Sequence, residues 1–256
     1  MDLVLMEIGG RTIWLGRRKA VILPGKKGAR ILKIERNVWR KMILCQSLYH
    51  EYPPARAKAP ADPFPAAVFA DMIRVYGLRG YEIVLVIGDE NLILKQIALP
   101  TRNYKEACQS IAWSGMLLDS SEEYLFDAVL VRKDARSNEY EWLAAAYKRG
   151  CIEAAAAACR REGAVLTRVD ILPALIKEFC PAYEGTLTMC DNEEVYSIVL
   201  SAASVEAYAC RAANEGTPPD EAAVLLRSCG DGKQVKKAEK LGLTGMDMVL
   251  AVRIQV

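Results

Sequence analysis

Met6-Glu7-Ile8-Gly9-Gly10-Arg11-Thr12 lies between two apolar runs, Leu3-Val4-Leu5 and Ile13-Trp14-Leu15. Two consecutive glycines reach positive φ at little cost and can turn backbone N–H groups toward an anion, so this turn could cradle a phosphate. An ordinary hairpin carries the same signature, and the turn alone does not separate the two. A second glycine turn, Cys229-Gly230-Asp231-Gly232, stands near the C-terminus. Other chemistry is sparse. Cys45, Cys108, Cys151, Cys159, Cys180, Cys190, Cys210 and Cys229 form no Cys-x-x-Cys pair, and His50 is the single histidine, so neither a zinc site nor a redox pair is expected. Cysteines within apolar runs read as small buried hydrophobes in a reducing compartment. His50 sits next to a proline-rich loop with no nucleophile motif nearby and reads as a surface residue.

The elements that would position these turns need a core. A chain of 256 residues with 52% hydrophobic content supplies one, as one large domain or two small ones. No run of about 18 apolar residues occurs, and Met1-Asp2-Leu3 does not begin a signal peptide, so a soluble cytoplasmic protein is expected, with no direct membrane insertion. Thirty-four basic against 32 acidic residues leave a net charge of +2, which gives no global pull toward nucleic acid. The local basic runs Arg17-Arg18-Lys19 and Lys26-Lys27 read as solvated hairpin ends.

Strands and helices interleave along the chain, an α/β pattern with mixed sheets. After the first hairpin a strand is expected at 29–34, and the prolines of 52–60 mark a loop. Asp62 suits a helix cap ahead of Phe69, Met72, Ile73 and Tyr76, which share a helical face. Strands are expected at 81–87 and 92–99, and Thr101 suits an N-cap for a helix bearing Tyr104, Cys108 and Ile111. A strand at 125–131 follows. Residues 142–147 are ambiguous, because their alanines favour helix while flanking turns favour strand. Alanine-rich 151–162 reads as a helix closed by Gly163, followed by a strand at 164–169 and a helix capped by Asp170. Strands at 185–190, 195–200, 205–211 and 222–227, a basic helix at 233–241 and a last strand at 246–256 complete the reading.

In this order Lys95-Gln96-Ile97-Ala98-Leu99-Pro100, the helix 106–113 with Trp113, the strand 122–131 and Val165-Leu166-Thr167-Arg168-Val169-Asp170-Ile171-Leu172 have the character and spacing of one family. The chain resembles the PilM proteins of type IV pilus assembly, relatives of actin, FtsA and Hsp70, most specifically over residues 81–176. The resemblance implies an actin-like fold of two ribonuclease-H-like halves with a nucleotide between them. Residues 1–100 plus 164–180 would form the first half, 101–163 a small inserted αβ subdomain, and 181–256 a reduced second half. It also places Glu7, Gly9, Gly10 and Thr12 in the first phosphate loop, Asp191 in the second, and Gly230 and Gly232 on the adenosine side.

Against the family pattern, Glu7 replaces an aspartate, and one extra methylene disturbs an octahedral magnesium shell. The second loop, Cys190-Asp191-Asn192-Glu193-Glu194, has no glycine to close on a phosphate and adds glutamates that repel it. The stretch between Arg211 and Ala222 is too short for the second-half subdomain. The expectation is therefore a pseudo-ATPase needing neither ATP nor magnesium. It would serve as a scaffold at the cytoplasmic face of a type IV pilus, competence pilus or related secretion machine. The resemblance implies as partner the cytoplasmic tail of a PilN-like membrane protein, with Leu99, Pro100 and Trp113 as contact candidates by position, and a pilus motor ATPase as a further partner. Localisation would be peripheral to the inner membrane, through these partners. Two alternatives stand beside it. One is a nucleotide-binding actin-like ATPase using Gly9, Gly10, Thr12 and Asp191. The other is the L component of type II secretion, which has a similar cytoplasmic portion but continues into a membrane helix.

Overall fold

A computed structural model describes residues 16–37, 43–53, 66–113, 124–133, 139–191, 193–213, 226 and 228–253. The hairpin expected at 3–15, the Asp62 cap and nearly all of the strand expected at 222–227 lie outside these residues.

Alternating burial builds the main sheet. β1 (Gly16–Pro24), β2 (Gly28–Asn37) and β3 (Ile43–Glu51) run antiparallel, while β4 (Glu82–Ile87) and β8 (Val165–Ile171) add parallel strands in the order β3-β2-β1-β4-β8. Val21, Leu23, Leu32, Ile34, Val84 and Val86 point to one face, and Ala20, Ile22, Ile31, Ile83, Leu85 and Ile87 to the other. Both faces are covered at the centre of the sheet, which is why residues 20–23 of β1 and 83–87 of β4 are unbroken apolar runs, while β8, at an edge, alternates with polar residues. On one face α1 (Ala66–Val75) and α3 (Arg149–Arg161) pack together through Phe69, Met72, Ile73, Ala155 and Cys159. Each fully buried Ile, Leu or Phe on these faces contributes about 1.5–3 kcal/mol.

A second sheet stands between β4 and α3 in sequence. It has the order β5-β7-β6, built from β5 (Ile93–Leu99), β6 (Tyr124–Lys133) and β7 (Tyr140–Lys148), with α2 (Tyr104–Trp113) on one face. Its elements run from 93 to 148, so β5 falls before the insert limits expected at 101–163, and α3, expected within them, packs in the core of the main sheet. The ambiguous stretch 142–147 is strand. Trp142, Ala144 and Ala146 face α2 while Leu143, Ala145 and Tyr147 face away, and the period of two decides it.

The remainder is the antiparallel sheet β11-β10-β9, made of β9 (Gly185–Asp191), β10 (Glu194–Leu200) and β11 (Val205–Ala212), together with α4 (Leu172–Phe179), α5 (Gly232–Lys240) and α6 (Met246–Leu250). Leu187, Met189, Tyr196 and Ile198 share one core with Leu175, Phe179, Val249 and the first sheet. Of the last strand expected, 246–256, the described residues 246–253 are instead a helix that begins at Met246 and continues into a 3-10 turn at Ala251–Arg253. All five residues of α6 are buried, so its sequence carries no amphipathic period to tell helix from strand.

Two expected caps differ. Asn103, not Thr101, accepts the Lys105 N–H at 2.9 Å, while Thr101 Oγ1 accepts Asn103 N–H at 3.0 Å and donates to Glu106 at 2.6 Å. Asp170 leaves α4 uncapped and accepts from Arg253 at 2.8 Å, tying the C-terminal turn to β8. Gly163 closes α3 with φ of 77°, as read.

Candidate functional site

Two hairpin turns meet where the first sheet approaches the third. The turn between β1 and β2 is Gly25-Lys26-Lys27, closed by Gly25 N–H donating to Gly28 O at 2.8 Å. The turn between β9 and β10 carries Asp191 and Glu194 as its closing pair. Glu193 in that turn has φ of 66°, the single left-handed non-glycine residue among those described. A position suited to glycine is thus held by a glutamate, at a cost of about 1–2 kcal/mol.

Charge joins the turns. Lys27 Nζ pairs with Glu193, and Lys26 N–H donates to Glu194 Oε1 at 3.1 Å. Arg30 on β2 forms a two-pronged pair with Asp191, its Nε lying 3.1 Å from Oδ2, and its Nη1 reaches Asp247 Oδ1 of α6 at 3.2 Å. A guanidinium matches a carboxylate in this forked geometry, and a third element enters through its remaining nitrogen. Arg30 and both carboxylates are largely withdrawn from water. Burial opposes the Arg30 charge, but its hydrogen bond to Asp191 and the neighbouring carboxylates together raise its pKa.

Glu194, like Asp247, is buried, 6% exposed. Besides Lys26 N–H, it accepts Tyr196 O–H at 2.9 Å and faces Cys210 Sγ at 3.9 Å. Desolvation pushes its pKa up, partly offset by those two donors. Gly25 packs directly on the Glu194 carboxylate, so the two turns approach more closely than a side chain at that position would permit. Nearby, Tyr208 O–H of β11 donates to Gly88 O at the end of β4, and Asp89 accepts Tyr147 O–H at 2.5 Å, with burial again raising the acid. Chemically, this arrangement clamps two sheets together. Lys26 N–H and the Lys27 and Arg30 side chains, the groups best placed to grip an anion, are already engaged by carboxylates.

The residues singled out from sequence fall into separate places. Glu7, Gly9, Gly10 and Thr12 lie outside the described residues. Asp191 sits in the charged junction, opposite Arg30. Gly230 packs elsewhere, where an added Cβ would lie 2.6 Å from Phe179 and 2.7 Å from Val235, and Gly232 opens α5 in clear space. Leu99 is buried against α2 in the second sheet's core. Pro100 and Trp113 come together, lining with Thr101, Glu106, Gln109 and Ser110 an open cleft of about 450 Å³. Trp113 is 89% exposed, an unusual position for so large an apolar surface. Arg30 was not singled out, and Lys26-Lys27 were read only as a solvated hairpin end; nothing local in the sequence announces their acidic partners.

All eight cysteines are free; Cys151, Cys159 and Cys180 are buried while the other five are half-buried, and burial pushes the thiols of Cys159 and Cys180 up to about 12. Among the described residues no His, Cys, Asp and Glu group could hold a metal ion, and no helix is long and apolar enough to cross a membrane.

No protein-family model and no curated protein matches the chain. Solved structures do. The structure of a PilM-PilN type IV pilus biogenesis complex is similar with a TM-score of 0.56 and 14% identity, over 91% of this chain and 68% of that one. The cytoplasmic domain of EpsL, an inner-membrane component of the type II secretion system of Vibrio cholerae, is similar with a TM-score of 0.51 and 12% identity, over 78% of this chain and 79% of that one. The chain shares its overall fold with these two structures, an α/β architecture with mixed sheets.

Proposed function

We propose that this chain is a non-catalytic cytoplasmic scaffold of a type IV pilus or related secretion machine. Its partner would be the short cytoplasmic tail of a PilN-like inner-membrane protein. The observation that carries the non-catalytic half is the charged junction. A phosphate entering the junction between the first and third sheets would meet the turn at Gly25–Lys27, and that turn is engaged by Glu193 and Glu194. Asp191, Glu193, Glu194 and Asp247 add four carboxylates there, which repel a polyphosphate, and opening the Arg30 pairs would strand buried charge.

The binding half is supported by the likeness to a PilM-PilN complex and by the second sheet. On its face away from α2, Leu94, Leu143 and Val131 pack toward the main core, while Val129 on β6 is 57% exposed. β6 is an edge strand of that sheet, so an extended tail could add main-chain hydrogen bonds there while placing alternate side chains on apolar surface. Pro100 and Trp113 offer a second contact area beyond α2.

The test is paired. Calorimetry of the full chain with a synthetic PilN-like tail should show saturable binding, and a thermal scan with magnesium-ATP should show no shift. Absence of tail binding removes the scaffold reading. A shift that grows with magnesium-ATP, reaching about 2.7 kcal/mol at a hundred times the dissociation constant, restores the ATPase reading. The likeness to the EpsL cytoplasmic domain supports a second reading, an L-type component of type II secretion, which predicts preference for that system's partner over the PilN-like tail.

A further inference from the structure

α5 carries four lysines on one face. Lys233, Lys236, Lys237 and Lys240 follow the i, i+3, i+4, i+7 spacing and occupy an arc of roughly 100°. Val235 and Ala238 turn the opposite side into the core, so the stripe faces solvent. All four lysines are exposed, and among the described residues none of them is in an ion pair, whereas Lys19, Lys26, Lys27 and Lys33 each have an acidic partner.

Beside the stripe lies apolar surface. Gln234, Lys237, Ala238, Leu241, Met248, Ala251 and Val252 line a shallow cleft of about 120 Å³, with Lys237 common to cleft and stripe. The Gln234 Oε1 atom is buried at this edge with no hydrogen-bond partner among the described residues. Cationic side chains next to half-buried aliphatic ones match the headgroup boundary of a bilayer, where ammonium groups meet phosphates and aliphatic groups meet the glycerol region. A single-stranded nucleic acid would instead call for stacking aromatics or arginines, and the cleft lining has neither.

We infer that the α5 lysine stripe is an electrostatic docking surface for an anionic phospholipid bilayer. The chain lies on the membrane without entering it. This goes beyond the scaffold reading and is independent of it, because it requires no protein partner. Each lysine near an anionic surface is worth about 1 kcal/mol, or about a fivefold change in partitioning.

The experiment is co-sedimentation of the full chain with vesicles of phosphatidylcholine alone and of phosphatidylcholine with about 30 mol% phosphatidylglycerol. Binding is expected to the anionic vesicles only, and to vanish when salt rises from about 0.1 M to about 1 M. Each single Lys→Gln substitution in the stripe should weaken binding about fivefold, and the quadruple substitution should abolish it with an unchanged thermal midpoint. The single variants keep the test intact if the quadruple one does not fold. Equal binding to both vesicle types, no binding to either, or single variants that bind like the unaltered chain would overturn the inference. So would preference for duplex DNA or polyglutamate over anionic vesicles at the same salt.

Discussion

Arg30 on β2 and Asp191 at the end of β9, 161 residues apart in sequence, form a two-pronged ion pair that links the first sheet to the third. Asp247 of α6 closes the same guanidinium from a third element. The pair occupies the junction between the two hairpin turns, so what holds that junction closed is protein charge.

Substituting Arg30 with methionine leaves Asp191 and Asp247 withdrawn from water without their cation. The expected loss is about 3–5 kcal/mol in urea unfolding. Replacing all three together, Arg30→Met with Asp191→Leu and Asp247→Leu, should cost less than the single change, because no buried charge is then stranded. A triple variant weaker than the single one would mean that the pairs themselves, rather than the avoided stranding, stabilise the junction.

Glu193 holds a left-handed backbone at φ 66° while pairing with Lys27 from an exposed position. Strain and ion pair oppose each other in any substitution, so they are separated in a Lys27→Ala background, where the pair is already gone. There Glu193→Gly should raise stability by about 1 kcal/mol, and Glu193→Val should lower it by at least as much. Equal thermal midpoints for the three chains would show that the turn relaxes without strain.

Much of the scaffold was legible in the residues, for reasons tied to burial. Residues 83–87, read as a strand, are a continuous apolar run because helices cover one face of the main sheet and the third sheet covers the other. By contrast, β1 and β3 were not among the strands expected, their apolar residues being flanked by the basic Arg17-Arg18-Lys19 and by polar Gln46-Ser47. Gly163 announced its own conformation. The charged junction was not legible. Lys26-Lys27 looks like any solvated hairpin end, and its acidic partners become neighbours only when two sheets far apart in sequence dock. Periodicity also failed at α6, where burial on every side leaves no polar face to mark a helix. Asp170 was read as a local cap, but an arginine more than eighty residues downstream claims it.

Glu194 gives the fold a pH dependence whose sign follows from its environment. Burial raises its pKa above the ordinary value of 4.5, so the folded chain holds that proton more tightly than the unfolded one. Its contribution is fully present below the unfolded value and is lost as pH rises through the folded one. Asp89, raised from 3.8 by burial, acts in the same direction. Glu194→Gln cannot ionise, so the stability difference between variant and unaltered chain should move in the variant's favour as pH rises from about 4 to about 7. Denaturant unfolding at a series of pH values reads this directly, and a difference that stays constant would show that Glu194 ionises in the fold as it does in the unfolded chain.

Trp113 separates binding from folding. It ends α2 with 89% of its surface exposed, so it contributes little to the core that Ala107 and Ile111 make one face over. Removing it should change stability by less than about 0.5 kcal/mol, as exposed substitutions do. Its cleft is shared with Pro100, Thr101 and Glu106, and Thr101 is itself fixed, since its carbonyl accepts Trp142 Nε1–H at 3.0 Å and its hydroxyl donates to Glu106. A rigid rim with a large aromatic standing over it is the usual form of a binding hot spot, where truncation costs about 2 kcal/mol or more. If the PilN-like tail uses this cleft, Trp113→Ala should weaken it roughly 30-fold in calorimetry while the thermal midpoint stays put. Val129→Asp on β6 makes the complementary case, since it places a charge on the apolar face away from α2. A tail that tolerates the Trp113 change but not the Val129 change would seat on the β6 edge, and the reverse would assign the tail to the α2 cleft.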